Sequence, residues 1–326
     1  MTRARIIGIG AYAPKRIVTN ADLEKLVQTN DEWIVQRSGI RQRHVADESE
    51  ATSDLALRAA QQALERANLV PEDIDFVAVG TTTPDMFFPT VGNIVQHRLG
   101  CRRAGSVDLL AACAGSVYSL SIGSQFIQTG KYRRVLCIGA ETLSKITDWT
   151  DRGTCVLLAD AAGAAVLEPS PDERGILDFD LYSDGQYWDL LYMPGGGSRH
   201  PASHETVDAR LHYAKMKGND VFKVAVRMFV DCTERILARN GFGVADVDLF
   251  IPHQANLRII EAAAKRIHMP MERVFVNVDR YGNTGAASVY VALEEAASTG
   301  RLRPGALVLL AAFGGGFAWG SLLMRW

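Results

Sequence analysis

The chain has 326 residues, 48% of them hydrophobic and 22% charged, enough to bury a large core as one big domain or two fused halves. Its 35 basic and 37 acidic side chains leave a formal charge of −2, which excludes a general attraction to nucleic acid, and no apolar run approaches the length of a membrane span. The five cysteines (Cys101, Cys113, Cys137, Cys155 and Cys232) are odd in number and lack CxxC spacing, so they suggest neither a disulfide framework nor a zinc site and fit a reducing cytoplasm. The opening residues lead straight into the strand-like Ile6-Ile7-Gly8-Ile9-Gly10, with no export signal.

Along the chain, Ser53 is placed to cap a helix through Leu57, Ala60, Leu64 and Ala67, and a strand follows over Ile74 to Val79. A helix over Val91 to Arg98 and a strand over Ser106 to Leu110 come next. Then come Cys113-Ala114-Gly115-Ser116, a helix ending at Thr129-Gly130-Lys131, and a strand over Val135 to Gly139. The plan repeats. A helix over Asp220 to Arg239 leads to a strand over Val247 to Ile251, a helix over Leu257 to Ile267 and a strand over Val274 to Val278. Asn283-Thr284-Gly285-Ala286 follows, with a helix ending at Thr299-Gly300-Arg301 and a strand over Ala306 to Ala311. The same 170 residues separate Cys113 from Asn283 and Thr129 from Thr299. Such a duplication of alternating strands and helices predicts parallel or mixed sheets with helical cover, and an approximate twofold that brings positions 113 and 283 together. The halves divide at 1–172 and 173–326. Residues 183–218, with Pro194-Gly195-Gly196-Gly197, have no counterpart in the first half and read as a long mobile loop; the run lacks the strand and helix that a phosphate cradle needs.

Four of the cysteines read as small core residues. Cys113 differs, because it follows a strand, precedes a helix and is flanked by Ala111, Ala112, Ala114 and Gly115. A sulfur at a helix start is expected to have its pKa lowered, which makes it a candidate nucleophile. His253 lies in Pro252-His253-Gln254-Ala255-Asn256 at the carboxyl end of a strand, where the sites of α/β sheets collect. Asn283 sits in a turn beside glycine, and the repeat makes it the mate of Cys113. The backbone N–H groups of Gly314-Gly315-Gly316 are placed to face a thioester oxygen.

These segments resemble β-ketoacyl-acyl-carrier-protein synthase III, the initiating condensing enzyme of bacterial type II fatty acid synthesis. The motifs are Asn30-Asp31-Glu32-Trp33-Ile34 with Arg37-Ser38-Gly39-Ile40, Ala111-Ala112-Cys113-Ala114-Gly115, Pro252-His253-Gln254-Ala255-Asn256, Gly282-Asn283-Thr284 and Phe313-Gly314-Gly315-Gly316-Phe317. The resemblance implies a thiolase-like α/β fold of two duplicated βαβ halves, with mixed sheets and helices packed between and outside them. It implies an acyltransferase that loads an acyl group from coenzyme A onto Cys113 and condenses it with malonyl-acyl carrier protein, with no cofactor beyond the thioester substrates and no metal. His253 and Asn283 would stabilise the enolate, and the N–H groups of Cys113 and Gly315 would form the oxyanion hole. Elongating relatives carry a histidine at the Asn283 position, and thiolases a cysteine near Ala312 and Phe313, so both differences point to the initiating branch.

The same resemblance assigns Trp33 and Arg152 to a sandwich on the adenine, with Thr29 and Arg37 near the nucleotide. Asn219 and Asn256 fall on the pantetheine arm, and Phe222 and Phe313 are further substrate-binding positions. Lys223, Arg258, Lys265 and Arg266, which alone would read as solvated helix charges, become the carrier-protein docking surface. It implies a cytoplasmic homodimer in which Phe88 closes the partner's acyl pocket and favours acetyl-CoA, with Phe87 as the alternative if the loop register differs. Two other readings stay open: an acyltransferase or polyketide starter synthase with a different acceptor, and a silent carrier-binding subunit. The silent reading is disfavoured by the intact trio of Cys113, His253 and Asn283.

Overall fold

The computed structural model describes residues 2–326. Two sheets organise it. The first has the spatial order Ala4–Tyr12, Asp160–Pro169, Val135–Thr142, Phe76–Gly80, Gly105–Leu109. The second runs Leu249–Pro252, Leu307–Gly314, Ala318–Arg325, Gly175–Ser183. Read from Gly175–Ser183 back to Leu249–Pro252, the second sheet has the antiparallel, antiparallel, parallel pairing of the first and so repeats it minus its last strand. The inner strands Val135–Thr142 and Leu307–Gly314 are buried at all eight positions, which explains their near-continuous apolar runs: both faces are covered.

Helices Gly115–Gln128 and Ser288–Ser298 lie between the sheets and touch both. They come close enough only because the strands present glycine. A Cβ on Gly139 would sit 2.2 Å from the Ala286 carbonyl oxygen, and one on Gly163 would sit 2.2 Å from the Tyr290 Cβ. The two helices meet through a 2.7 Å hydrogen bond between the hydroxyls of Ser119 and Tyr290. Helices Thr52–Ala67 and Val91–Leu99 cover the outer face of the first sheet, and Gly218–Arg239 and Leu257–Arg266 lie outside the second. The resulting order, helices, sheet, helices, sheet, helices, is the thiolase-like arrangement.

Four local expectations need correction. Ser53 is not a cap: the helix starts at Thr52, and the Ser53 hydroxyl donates to Asp85 at 2.7 Å. Residues 274–278 form no strand; Val274 makes one isolated bridge to Phe250, and a short helix, Val278–Tyr281, begins where continuation was expected. The repeat also slips. Each central helix follows a 3₁₀ turn, Ala112–Ala114 in the first half and Gly285–Ala287 in the second, and the second turn and helix both start three residues later than the 170-residue offset predicts. Finally, segment 183–218 is built rather than featureless: strands Leu191–Tyr192 and Lys215–Met216 pair, helix His204–Asp208 has Ser203 as its cap, and the Leu191 carbonyl abuts Gly315.

Candidate active site

Cys113 lies in the middle of the 3₁₀ turn Ala112–Ala114, which runs directly into helix Gly115–Gln128. Ala112 takes φ 47°, a left-handed conformation that an alanine adopts at a cost of roughly 1 kcal/mol or more. The turn is held against the glycine run. A Cβ on Gly314 would lie 2.5 Å from the Cys113 amide nitrogen and 2.7 Å from the Ala112 Cβ, so no larger residue fits there. Gly315 comes next, half-exposed, and among the described residues its N–H donates to no acceptor in the chain. Cys113 keeps some accessible surface, yet its dense surroundings push its thiol up to about 12; desolvation is the main cause and the Glu141 carboxylate adds to it. In the free protein, burial and the Glu141 carboxylate thus act against the lowering expected from the helix start. The other four cysteines are buried, and burial raises their thiols as well.

His253 follows strand Leu249–Pro252, its N–H donating to the Ala311 carbonyl at 2.8 Å. Its ring stands edge-on to Phe313 with centroids 5.4 Å apart, and Phe313 itself packs against Phe229 and Phe317. Burial drives the imidazole down to about 3, so it is neutral. Its Nδ1 lies 2.6 Å from the Ser288 hydroxyl, which also accepts the Gln254 N–H at 3.3 Å. Asn283 is anchored by its backbone, its N–H donating to Leu157 and its carbonyl accepting from Ala159, both at 2.9 Å. Its Oδ1 accepts the Gly285 N–H at 3.0 Å, which orients the amide, and among the described residues Nδ2 has no partner.

Three buried residues that sequence reasoning missed support this centre. Ser288 sets the His253 ring; a hydroxyl at the start of the apolar run Val289-Tyr290-Val291-Ala292-Leu293 was its only trace. Glu141 is wholly buried in the strand packed against the Gly285–Ala287 turn, and the sequence signal was a carboxylate within the apolar Val135–Thr142 run. Arg43 is wholly buried with no acidic partner among the described residues, donating instead to Val18, Asn20 and Val156, and burial lowers it to about 10. It backs the chain segment on which Asn283 is anchored.

The residues assigned to the nucleotide cluster as expected, with one difference. Helix Asp31–Ser38 carries Trp33 and Arg37 one turn apart, and Asn30 caps it by accepting the Trp33 N–H at 2.7 Å. The Arg152 guanidinium lies directly over the Trp33 ring, 4.5 Å from its centroid, and donates to the Gln28 carbonyl. No gap for an adenine exists there: Arg152 must move before a base can enter between them. A cleft of about 320 Å³ opens beside it, lined by Leu26, Val27, Gln28, Thr150 and Arg152. The Thr29 hydroxyl is buried without a partner. Asn256 caps helix Leu257–Arg266 through the Arg258 N–H and donates to the Arg37 carbonyl at 3.0 Å, tying the His253 segment to the Trp33 helix.

Asn219 is exposed in the first turn of helix Gly218–Arg239, where Phe222 lies half-buried under the Arg258 guanidinium. Lys223, Arg258, Lys265 and Arg266 are all exposed on these two packed helices. Phe87 and Phe88 are 76% and 84% exposed.

Known proteins resemble the chain over nearly its whole length. The family profile described as 3-oxoacyl-[acyl-carrier-protein] synthase III matches residues 107–185, and its C-terminal counterpart matches 237–326. The beta-ketoacyl-[acyl-carrier-protein] synthase III of Caldanaerobacter subterraneus is 52% identical, over 99% of this chain and 98% of that protein. The crystal structure of 3-oxoacyl-[acyl-carrier-protein] synthase III from Aquifex aeolicus superposes with a TM-score of 0.92 at 44% identity, covering 99% of this chain and 100% of that one. A priming beta-ketosynthase of a polyketide pathway also superposes, with a TM-score of 0.91 at 33% identity over 99% of this chain and 96% of that one. With this likeness running over nearly all of its length, the chain belongs to the beta-ketoacyl-[acyl-carrier-protein] synthase III family.

Proposed function

We propose that the chain catalyses the decarboxylating condensation of a short acyl-CoA primer, acetyl-CoA first, with malonyl-acyl carrier protein, giving 3-oxoacyl-acyl carrier protein through an acyl-enzyme on Cys113. The observation that carries the mechanism is the pair of oriented N–H groups. Ser288, accepting from Gln254, has its own proton free for His253 Nδ1; the ring proton then stays on Nε2. Asn283 has its Oδ1 held by Gly285, which leaves its Nδ2 without a partner among the described residues. Two neutral, preorganised donors suit a thioester oxygen on which negative charge develops.

In priming, Cys113 Sγ attacks the acyl-CoA carbonyl, the amides of Cys113 and Gly315 hold the oxyanion, and the thiol proton leaves with coenzyme A. In condensation, the malonyl C–CO₂ bond breaks and His253 and Asn283 hold the enolate oxygen. The enolate carbon then displaces Cys113, whose sulfur takes up a proton. The electron pair of the new C–C bond comes from the broken one, so the chemistry draws on no further cofactor.

Trp33, Arg152, Thr29 and Arg37 are assigned to the nucleotide end of coenzyme A; Asn219, Phe222, Asn256 and Phe313 to the arm and reacting thioester; and Lys223, Arg258, Lys265 and Arg266 to the acidic carrier. We read residues 1–172 and 173–326 as duplicated halves, in view of the matching strand orders. No helix among the described residues is long and apolar enough to cross a membrane, and the free cysteines fit the cytoplasm.

The test is incubation of the protein with a panel of acyl-CoA primers and malonyl-acyl carrier protein, with mass spectrometry of protein and product. An acyl adduct that disappears in Cys113→Ala and a 3-oxoacyl carrier product are expected. Transfer to another acceptor without carbon dioxide release would instead favour the reading as a different cysteine acyltransferase.

A further inference from the structure

Gln254 stands between His253 and the turn that carries Asn283, and the condensation described above makes no direct use of it. Its side chain is 1% exposed, yet every polar position on it is taken. Nε2 donates to the Pro252 carbonyl at 2.8 Å and to the Phe275 carbonyl at 3.0 Å, while Oε1 accepts the N–H groups of Asn277 at 2.9 Å and Val278 at 3.2 Å. All four partners are main-chain groups. Only a primary amide carries two donors on one atom and two acceptor sites on the other, so no other residue of this length keeps every bond.

These bonds account for an irregularity of the fold. Strand Leu249–Pro252 is an edge of the second sheet, and the chain beside it joins once, the Phe275 N–H donating to the Phe250 carbonyl at 2.8 Å, before it turns away. There the Gln254 amide takes over the work of a neighbouring strand, binding the Phe275 carbonyl and the N–H groups that open helix Val278–Tyr281. That helix is followed by Gly282, with φ 71°, and then by Asn283. On the other side, the Pro252 carbonyl belongs to the peptide that enters His253. The N–H of the same peptide donates to Ala311 at 2.8 Å, so both of its polar atoms are held. The Gln254 N–H donates to the Ser288 hydroxyl at 3.3 Å, the group that lies 2.6 Å from His253 Nδ1. One buried side chain thus spans the main-chain supports of both donors, and an apolar replacement would orphan two carbonyls and two N–H groups.

We propose that Gln254 is a positioning residue for the condensation: its amide fixes the separation between the His253 ring and the Asn283 amide, so that both donors meet one thioester oxygen. The proposal rests on the reading of His253 and Asn283 as the groups that hold the enolate. The amide makes no hydrogen bond to Cys113 or to the Gly314–Gly316 run, so priming draws nothing from it. A misplacement of about 1 Å slows a chemical step by up to about a hundredfold, which sets the scale of the effect.

The experiment compares two variants. Gln254→Met keeps the bulk and loses all four bonds; Gln254→Glu keeps the shape and the two accepted bonds but sets an oxygen against the Pro252 and Phe275 carbonyls, and it decides the matter where the methionine variant does not fold. Release of labelled carbon dioxide from malonyl-acyl carrier protein is followed beside acyl-adduct formation from acetyl-CoA. Each folded variant should release carbon dioxide about ten- to a hundredfold more slowly, with acylation of Cys113 largely kept. In a His253→Ala background Gln254→Met should cost markedly less, because part of its effect passes through that ring. A second readout is independent of turnover: in nitrogen NMR of isotope-labelled histidine rings, the His253 signal, assigned by its loss in His253→Ala, should report the single Nε2–H tautomer in the wild type and a mixture of tautomers in the Gln254 variants. Folded variants that release carbon dioxide at the wild-type rate, or that lose acylation and release in equal measure, would overturn the proposal, as would an unmoved ring signal. A wild type that acylates Cys113 but releases no carbon dioxide would sink the condensation reading, and the ring signal would still decide this one.

Discussion

His253 enters the reaction uncharged, and this has consequences for both rate and stability. With the imidazole driven to about 3, no histidine limb should appear near pH 6.5 in the decarboxylation profile. Replacing either donor, His253→Ala or Asn283→Ala, should spare acylation of Cys113 and slow malonyl decarboxylation about a hundredfold or more, the usual scale for one preorganised donor. Radiolabelled carbon dioxide release against acyl-adduct formation separates the two steps, and a variant that lost acylation but kept decarboxylation would reverse the assignment. The sign for stability follows from linkage: a base whose folded pKa is depressed adds no penalty above its unfolded value of 6.5 and an increasing one as pH falls towards about 3. His253→Gln should therefore lose less of its thermal midpoint than the wild type between about pH 6.5 and pH 4.

At the level of elements, the site depends on how closely the central helices approach the first sheet. Gly139→Ala would place a methyl 2.2 Å from the Ala286 carbonyl, in a backbone turn that cannot move without moving Asn283. Overpacking of this kind costs about 1–3 kcal/mol, so denaturant unfolding should show that loss, and decarboxylation should suffer more than priming. The Met86–Pro89 loop carries a separate expectation about the primer. Phe88 makes little contact with its own chain, being 84% exposed, as a residue that completes a partner's acyl pocket should be. Shrinking it, Phe88→Thr, should extend acceptance to octanoyl- and lauroyl-CoA with acetyl transfer largely kept. Each misfit step in a finished pocket is worth about ten- to a hundredfold in kcat/KM. A wild type that already prefers lauroyl-CoA would refute the short-primer assignment.

For the whole molecule, we propose a homodimer through the free edge of the first sheet. Strand Gly105–Leu109 is paired on one side only, and Leu110, Phe87 and Phe88 stand exposed around it, Leu110 at 82%. An uncovered edge flanked by large apolar side chains invites a second copy. Leu110→Glu with Phe87→Glu should weaken association by about a hundredfold or more, since each large apolar group is worth about 1.5–3 kcal/mol on burial. Sedimentation velocity across a dilution series reads this directly, and an unchanged dimer would place the interface elsewhere.

The trio of Cys113, His253 and Asn283, the duplication and the layered α/β plan were legible in the sequence. Cys113 and His253 are written locally, each soon after an apolar strand, Asn283 by the glycines that flank it in its turn, and the duplication by a fixed spacing. What the tertiary structure decided is how strongly each group feels its surroundings. The Cys113 thiol lies high because desolvation and Glu141 act on it together; the Val274 segment falls to a single bridge; Arg152 closes over Trp33; and Ser288 sets the His253 ring. Strand and helix patterns depend on neighbours a few residues away, whereas desolvation, stacking and hydrogen-bond partnership depend on groups brought together from far apart in the chain, across 124 positions for Arg152 and Gln28 and 219 for Asn256 and Arg37.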